Sequence, residues 1–539
     1  MYAADYGIVP DDGNDDRLAL QHAIDTAVKS GTGVILQVPP GRYHLDVDRE
    51  ASHAYALHIV NAERFTLMAE GAEFVVRNPR AGFLKIERSS DVTIKDLVVD
   101  YDPLPFFVGR IVAIESGRDS FVVESLPGHG MPDHSRSKAA RAWGYFLDPN
   151  VPGKLENLQP NVVYEKSVES IGDGRYRYRF DEEGSRFLRG LQIGTLFTHL
   201  VRGSQLFLAR NSSGVRFERI TSYASPAGHY VANNVEDISV VNCRAVIREG
   251  RAKGGNGDGI HFQNTRGPVI VRGNVFEGLS DDGVNVYQRP HYIVERRNAR
   301  TYRITADPNR ETVRPFAGSF RKGDRLMAFD DVEGRSYGGA VVASFDYRRG
   351  WLELESDWGL PEQPAEWKHI GLLSDHLASD VNIASNTFMN SRRFGVYLKS
   401  HRAVVANNRF INLSGSAIVI ANGTADGDSG FSRDVLVDTN WIEGCGFSRN
   451  FVNSPHWQAI SVFAQRKPYE LLPTTGLHAN VRISSNTIVD VSRGFFLHSI
   501  DGLEISGNRF LLAGAADVLE SAPVQIEHCA RVRFDEGSR

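Results

Sequence analysis

The segments VNIASNTFMN (381–390) and VVANNRFINL (404–413) share one pattern, in which a short β-rich run leads to an asparagine turn and a second β-rich run. Two more segments repeat it: VRISSNTIVD (481–490) and LEISGNRFLL (503–512). Asn386 and Asn408 are 22 residues apart, and Asn486 and Asn508 have the same spacing. This period suits one turn of a parallel β-helix and suits neither a propeller blade nor a helical repeat. The pattern therefore predicts the coils of a solenoid.

Further copies of the turn surround Asn242, Asn274 and Asn440, each 32 residues from a neighbouring turn, as if a coil carried an extra loop of about ten residues. Asparagine tolerates bends and bonds to nearby backbone, so we expect these side chains to stack as an internal ladder. The ladder is a structural feature, and no asparagine in it is expected to take part in catalysis.

The N-terminal region predicts a cap for this solenoid. From Asp16 to Ser30, Leu20, Ala23, Ile24 and other apolar residues fall at helical spacing behind an acidic start, and strand-like sequence follows. The order DYGIVPDDGNDD, helix, GTGVILQVPPGRYHL resembles the opening of pectate-lyase-like proteins, in which a helix covers the open end of a parallel β-helix. Such a helix keeps the core of the first coil from solvent.

Two stretches interrupt the coils with alternating strands and glycine turns, which favour inserted all-β domains over disordered loops. The expected fold is all-β: a right-handed parallel β-helix with an N-terminal capping helix and two inserted small β-barrel or β-sandwich domains. The predicted divisions are 1–102 (cap and first coils), 103–206 (first insertion), 207–287 (coils), 288–373 (second insertion) and 374–539 (C-terminal coils).

Composition excludes several classes of function. The chain has 61 Lys and Arg against 66 Asp and Glu, a net charge of -5, so no basic field favours nucleic acid. No apolar stretch approaches a membrane span of about 20 residues. Cys243, Cys445 and Cys529 lie far apart, without metal-ligand spacing, and three cysteines cannot all pair within one chain.

The first residues lack the features of a signal peptide. We expect a secreted or periplasmic protein whose leader is not part of this sequence, with a cytoplasmic location as the alternative. The oligomeric state, including a homo-oligomer, is left open.

The strongest chemical signal is a pair of aspartate motifs one coil apart. GNGDGIHFQN, from Gly255, aligns with LSDDGVNVYQ, from Leu279, and this places Asp258 over Asp282, 24 residues later. Side chains alternate along a strand, so the alignment sends two sets of residues in opposite directions. Expected in the core are Ile260, Phe262, Val284 and Val286; expected outside are His261, Gln263, Asn285 and Tyr287.

Asp258, Asp281 and Asp282 are the candidate catalytic residues. Crowded carboxylates repel each other, so at least one should have a raised pKa and keep a proton while the others stay charged. One site then supplies both an acid and a base, as glycoside hydrolysis requires. An ordinary Asp-Gly turn and a calcium site are the competing interpretations. The repetition of the motif one coil later favours catalysis.

One Asp in a coil and an Asp-Asp pair in the next resembles the polygalacturonases of glycoside hydrolase family 28. That resemblance implies that Asp281 is the general acid and that Asp258 and Asp282 position the water. The downstream Arg-x-Lys of that family is missing here. The whole chain more closely resembles glycoside hydrolase family 110, the α-1,3-galactosidases, in its capped start, its two insertions and its aspartate motifs. This resemblance implies an inverting exo-enzyme that removes terminal α-linked galactose without a metal or cofactor.

Aromatic and directional polar side chains on the outer face are candidate sugar contacts. Extension of the alignment to GVYLKS brings residues of a third coil to this face, and SPAGHYVANN adds His229 or Tyr230 nearby. The predicted substrate-binding residues are His261, Asn285, Tyr287, Tyr230, Tyr397 and Lys399. Arg393 and Trp457 are weaker candidates.

These features favour an inverting, exo-acting hydrolase of oligosaccharides or polysaccharides, and α-galactoside is the expected substrate. A polysaccharide lyase on the same fold is the second hypothesis, with Lys399 as the group that would neutralise a uronate. The third is a carbohydrate-binding solenoid without catalytic activity, because a fold does not determine a function.

Overall fold

The computed structural model describes residues 1–48, 54–115, 119–129, 143–158, 162–180, 188, 190–200, 202–309, 313–361, 367–451, 454–511 and 523–535. It begins with a 3-10 helix, Ala3–Tyr6, and the capping helix α1, Arg17–Lys29. Leu20, Ala23 and Ile24 of α1 join the solenoid core, as predicted. The carboxylate that accepts from the first-turn N–H of Arg17 belongs to Asp15.

The first coils are built from six strands, which pair in parallel. They are β1 (Ile35–Gln37), β2 (Gly41–Leu45), β3 (Tyr55–Val60), β4 (Glu63–Val76), β5 (Gly82–Glu87) and β6 (Ser90–Tyr101).

The first insertion is an antiparallel sheet of seven strands. They are β7 (Phe106–Ile114), β8 (Ser120–Ser125), β9 (Trp143–Leu147), β10 (Val162–Tyr164), β11 (Ser167–Gly172), β12 (Arg175–Arg179) and β13 (Leu196–Leu200). One face, with Phe106, Val108 and Tyr145, packs into the solenoid core. The opposite face, with Phe107, Phe121 and other residues, forms a core of its own.

The chain then returns to the solenoid. The strands are β14 (Phe207–Ser222), β15 (Tyr230–Val241), β16 (Arg244–Ala245), β17 (Ile260–Gln263), β18 (Arg266–Arg272), β19 (Val275–Glu277) and β20 (Val284–Tyr287). Ile260 pairs in register with Val284, and Phe262 with Val286. All four side chains are fully buried in the core, so the predicted alignment of the two aspartate motifs is confirmed.

The second insertion is a closed six-stranded barrel with a separate core. Its strands are β21 (His291–Asn298), β22 (Thr301–Thr305), β23 (Arg325–Asp330), β24 (Arg335–Asp346), β25 (Trp351–Leu354) and β26 (Ile370–Ser374). Gln288 joins the two ends of the barrel, since its side-chain amide donates to the Ser374 carbonyl at 3.0 Å and accepts from the Ser374 N–H at 2.8 Å.

The remaining coils continue to the C-terminal region. Their strands are β27 (Ser379–Ala384), β28 (Thr387–Met389), β29 (Val396–Leu398), β30 (His401–Ala406), β31 (Arg409–Ile411), β32 (Ile418–Ala421), β33 (Arg433–Asp438), β34 (Trp441–Glu443) and β35 (Ile460–Phe463). A hairpin of β36 (Gln465–Arg466) and β37 (Glu470–Leu471) precedes β38 (His478–Ser484), β39 (Thr487–Val489), β40 (Phe495–His498), β41 (Ile500–Ser506), β42 (Arg509–Leu511), β43 (Val524–Glu527) and β44 (Ala530–Phe534). Two 3-10 helices, Thr424–Asp426 and Arg449–Phe451, lie in the loops.

The barrel does not interrupt the stacking of the coils. Val284 of β20 pairs with Val396 of β29, which pairs with Ile418 of β32 and so on through β35 and β40. We call β17, β20, β29, β32, β35 and β40 the front stack. Among the described residues, no helix is long and apolar enough to cross a membrane.

The predicted asparagine ladder is present, and each member is buried at the same bend. Asn386 shows the pattern: its side-chain N–H donates to the Val271 carbonyl and to Asn408 Oδ1, both at 2.9 Å. The ladder consists of Asn274, Asn386, Asn408, Asn440, Asn486 and Asn508. Asn242 was wrongly placed in it. Cys243 occupies the position before Asn274, and its backbone N–H donates to Asn274 Oδ1 at 2.8 Å.

Candidate active site

Asp258, Asp281 and Asp282 meet where the chain enters the front stack. One carboxylate oxygen of each lies within 4.8 Å of one from each of the others. The backbone N–H of Asp282 donates to Asp258 Oδ1 at 2.9 Å, and the Gly259 N–H donates to the Asp282 carbonyl at 3.0 Å. The stacking of two coils thus brings the three predicted residues into one cluster.

Asp281 is held as a charged carboxylate by arginines. Arg393 donates to its Oδ1 at 2.8 Å and Arg202 donates to its Oδ2 at 2.6 Å. Burial alone would raise the pKa of Asp281, but the charges of Arg393, Arg202 and Arg392 outweigh it and hold that pKa well below its usual range. Both oxygens of this carboxylate therefore face guanidinium groups.

Asp282 has the opposite environment. Its side chain is only 1% exposed, against 14% for Asp281. Within the described part of the chain, neither of its oxygens accepts a hydrogen bond, and Arg393 Nη1 is 3.7 Å away. Burial raises the pKa of Asp282 to about 7, Arg393 opposes this, and the charges of Asp281 and Asp258 add to it. The predicted raised pKa in the cluster is present, and it belongs to Asp282.

Asp258 heads a chain of hydrogen bonds along the outer face. Its Oδ2 is 2.7 Å from His261 Nδ1, and His261 Nε2 is 2.8 Å from the Tyr287 hydroxyl. Tyr287 donates its proton to Gln263 Oε1 at 3.1 Å, so it accepts from His261. Asp258, His261, Tyr287 and Gln263 thus form one continuous chain of hydrogen bonds. Burial lowers the pKa of His261, but the charge and hydrogen bond of Asp258 raise it by more.

Lys399 lies beside this chain and is fully buried. Its ammonium donates to Asn285 Oδ1 at 2.9 Å and to Asp428 Oδ2 at 3.2 Å, and it is 3.2 Å from the centroid of the Tyr397 ring. Burial lowers the pKa of Lys399, while the charges of Asp428 and Asp282 act in the opposite direction. The structure thus brings Asn285, Tyr397 and Lys399 together near the aspartates.

Tyr230 was wrongly placed on this face. Its side chain is 0% exposed inside the solenoid core, where its ring stacks on Phe207 at a centroid distance of 5.3 Å. It pairs in register with the core residue Ile260, which is why it points inward. His229, the alternative at this position, is also fully buried.

The first insertion forms one side of the site. The Tyr145 hydroxyl and Ser280 Oγ, next to the aspartate pair, are 2.7 Å apart. The ring of Trp143 lies 4.9 Å from the Arg392 guanidinium, and Arg202 follows β13. On another side, a loop between β32 and β33 carries Asp428 to Lys399.

Sequence reasoning missed Arg202, Arg392 and Asp428. The sequence did contain a signal for Arg393, the residue next to Arg392. The register that aligns Val284 with Val396 also aligns Asp281 with Arg393. Arg202 and Asp428 belong to an insertion and a loop, and their places do not follow from the coil period.

Comparison with known proteins finds relatives named alpha-1,3-galactosidase that match most of the chain. Alpha-1,3-galactosidase B of Akkermansia muciniphila is 22% identical over 98% of this chain and 68% of its own length. Alpha-1,3-galactosidase A of Bacteroides fragilis is 20% identical, with 90% of this chain and 83% of its own covered. That of Streptomyces avermitilis is 21% identical over 99% and 92%. The resemblance to α-1,3-galactosidases is confirmed at this level, although no model of a known family matches the chain.

Among solved structures, the family 28 exopolygalacturonase of Yersinia enterocolitica is 12% identical, with 99% of this chain and 78% of the other covered and a TM-score of 0.45. The family 87 α-1,3-glucanase of Streptomyces thermodiastaticus is 13% identical, with 99% and 62% covered and a TM-score of 0.45.

Proposed function

We propose that this protein is an exo-acting glycoside hydrolase that releases terminal α-1,3-linked galactose from an oligosaccharide or polysaccharide with inversion of configuration. The observation that carries the proposal is the cluster of three aspartate carboxylates, in which Arg393 binds Asp281, His261 binds Asp258 and the side chain of Asp282 is buried without a hydrogen-bond partner among the described residues. Relatives named alpha-1,3-galactosidase, matched over most of the chain, support the choice of sugar and linkage.

In this proposal Asp258 is the base that activates water. His261 orients it through a contact of 2.7 Å, and Asp282, whose backbone N–H donates to Asp258 Oδ1, is proposed to lie on the same side of the attacking water. The water attacks the anomeric carbon, its proton passes to the base, and the glycosidic bond breaks as the leaving oxygen is protonated.

Asp281 is the proposed acid because it is the more exposed member of the pair. It holds no proton in the unliganded arrangement, so it has to receive one from Asp282 as substrate displaces a guanidinium. Arg202 is suited to leave, since its side chain is 51% exposed whereas that of Arg393 is 28% exposed. Loss of this ion pair raises the proton affinity of Asp281.

The distances between carboxylates do not by themselves indicate inversion. Oxygens within 4.8 Å are nearer the separation of about 5 to 5.5 Å in retaining enzymes than the 6.5 to 9.5 Å of inverting ones. Inversion is proposed because the resemblance implies it and because two carboxylates on one side, Asp258 and Asp282, can share a single water.

Lys399 argues against the polysaccharide lyase. An ammonium has three protons, and those of Lys399 face Asn285, Asp428 and the ring of Tyr397. The group that would neutralise a uronate is thus already engaged, and a neutral sugar fits better.

The arginines also bear on the calcium alternative. Both oxygens of Asp281 are bonded to guanidinium groups, which supply positive charge where a cation would otherwise be required. We therefore propose a reaction without a metal, and treatment with EDTA should leave the rate unchanged.

The experiment is a panel of aryl glycosides with α-galactoside first, in which NMR follows the anomer of the released sugar. We expect galactose released first as the β-anomer, with no product that absorbs in the ultraviolet as an unsaturated uronate does. Release of the α-anomer would overturn inversion. Binding of galactose without turnover on the whole panel would favour the solenoid without catalytic activity.

A further inference from the structure

Asp428 is a carboxylate of the site that no coil motif supplies. Its side chain is 12% exposed, and its Oδ2 accepts from Lys399, whose ammonium is 5.5 Å from the centroid of the Tyr287 ring and 3.2 Å from that of Tyr397. It therefore lies beside Tyr287 and Tyr397, two outward residues of the front stack.

The partner of Asp428 is not available to a ligand. Lys399 is 0% exposed, and its three protons face acceptors within the protein. Lys399 therefore fixes Asp428 Oδ2, and the polar group left to meet a sugar at this position is the carboxylate. Carboxylates only accept hydrogen bonds, so the matching ligand groups are hydroxyls.

The loop that carries Asp428 is built around the Lys399 side chain. A Cβ at Gly423, where φ is +62°, would lie 2.5 Å from Lys399 Cε, and one at Gly430 would lie 2.6 Å from the Lys399 carbonyl oxygen. Glycine at both positions allows the backbone to pass this close.

The second insertion holds the same loop from outside. Gln288 and Ser429 exchange two backbone hydrogen bonds, of 3.2 and 2.9 Å, next to Asp428. The ring of Phe431 packs against Phe329 of the barrel at a centroid distance of 4.8 Å. The carboxylate is therefore fixed in place before any ligand binds, as specificity through hydrogen bonds requires.

We infer that Asp428 is a specificity-determining residue that accepts hydrogen bonds from hydroxyls of the terminal neutral hexose and excludes hexuronates. A uronate at this position would bring a second negative charge against a fixed carboxylate whose ion-pair partner, Lys399, is already engaged with Asn285 and Tyr397. The inference rests on the proposed function and deepens it by naming the residue that selects the class of sugar.

The test compares Asp428→Asn with wild type on the aryl α-galactoside and the aryl α-galacturonide, which differ only at C6. We expect kcat/KM for the galactoside to fall by about 100-fold, because a neutral amide accepts a weaker hydrogen bond than a carboxylate and can turn a donor toward the sugar hydroxyl. The ratio of galacturonide to galactoside turnover should rise at least 10-fold. Asp357→Asn is the control: Asp357 is 76% exposed in the second insertion, where its ion-pair partner is the exposed Arg300, and this change should alter neither value.

Equal losses on both substrates in Asp428→Asn, or no loss on either, would overturn the inference, provided that circular dichroism matches wild type. Failure of the proposed function looks different, because wild type itself would then cleave no α-galactoside. In that case NMR titration with free galactose and galacturonate tests Asp428 without turnover. A preference for galactose that disappears in Asp428→Asn supports the inference, and an unchanged preference overturns it.

Discussion

Asp281 and Asp282 are consecutive residues whose environments separate their proton affinities. Guanidinium groups hold one as a carboxylate, and burial keeps the proton on the other. As pH rises above about 7, the pair loses its only proton, so kcat/KM should fall on the alkaline side. The unfolded chain binds this proton only near the usual Asp pKa, so between about pH 4 and 7 Asp282 contributes stability that is lost as pH rises.

The role of each aspartate can be separated with leaving groups of different acidity. Asp281→Asn should lower kcat by about 10³-fold on alkyl galactosides but by much less on dinitrophenyl galactoside, whose leaving group departs without a proton. Asp258→Asn should lose activity on both. The measurement is the steady-state kcat of each variant on each of the two substrates. If Asp282→Asn alone shows the selective loss, the acid is Asp282.

The sequence could predict the three aspartates because they are fixed by the period of the coils. The same alignment correctly sent Ile260 and Val284 inward and His261 and Asn285 outward. It failed for Tyr230, whose segment follows a loop before β15, so that outward and inward positions were exchanged. Arg202 and Asp428 reach the site from other elements through long-range packing, which alternation along a strand does not encode.

Among the elements, the asparagine ladder joins successive coils through hydrogen bonds between buried side chains. Asn408 makes four bonds there: it donates to the Ile383 carbonyl and to Asn440, and its Oδ1 accepts from the backbone and side chain of Asn386. Asn408→Ala leaves buried donors and a buried carbonyl unpaired and should lower the free energy of unfolding by about 3 kcal/mol.

The midpoint of urea unfolding measures this loss. Arg409→Ala, at the exposed neighbouring position, is the control and should stay within about 0.5 kcal/mol of wild type. A midpoint for Asn408→Ala equal to that of Arg409→Ala would show that the ladder contributes no stability.

Cys243 marks the limit of sequence reasoning about this element. The ladder position needs a side chain that fits the bend, and a small thiol fills it where an asparagine is absent. Asn242, one residue earlier, has the residue type of the ladder, but the strand register puts Cys243 and not Asn242 at the ladder position. The pairings of Val241 with Arg272 and of Arg244 with Val275 reveal the shift.

The two insertions differ in how far their apolar cores are separate from the core of the solenoid. The sheet of the first insertion shares residues with the solenoid core, whereas the barrel encloses a core of its own and contacts the later coils through a separate apolar cluster that includes Phe329 and Phe431. We expect calorimetry to show the barrel melting in a separate transition from the solenoid. Trp351, Trp358 and Trp367 lie in or beside the barrel core, so tryptophan fluorescence should follow that transition. A single transition by both methods would contradict it.

Gln288 holds the two ends of the barrel segment next to each other. Because one side chain joins residues 288 and 374, the entry and exit of the inserted segment are neighbours, and the coils before and after it stack as if they were continuous. A segment with adjoining ends can enter or leave a gene in one event without disturbing the repeat around it. The barrel could therefore be exchanged or lost while the coils that carry the three aspartates keep their stacking.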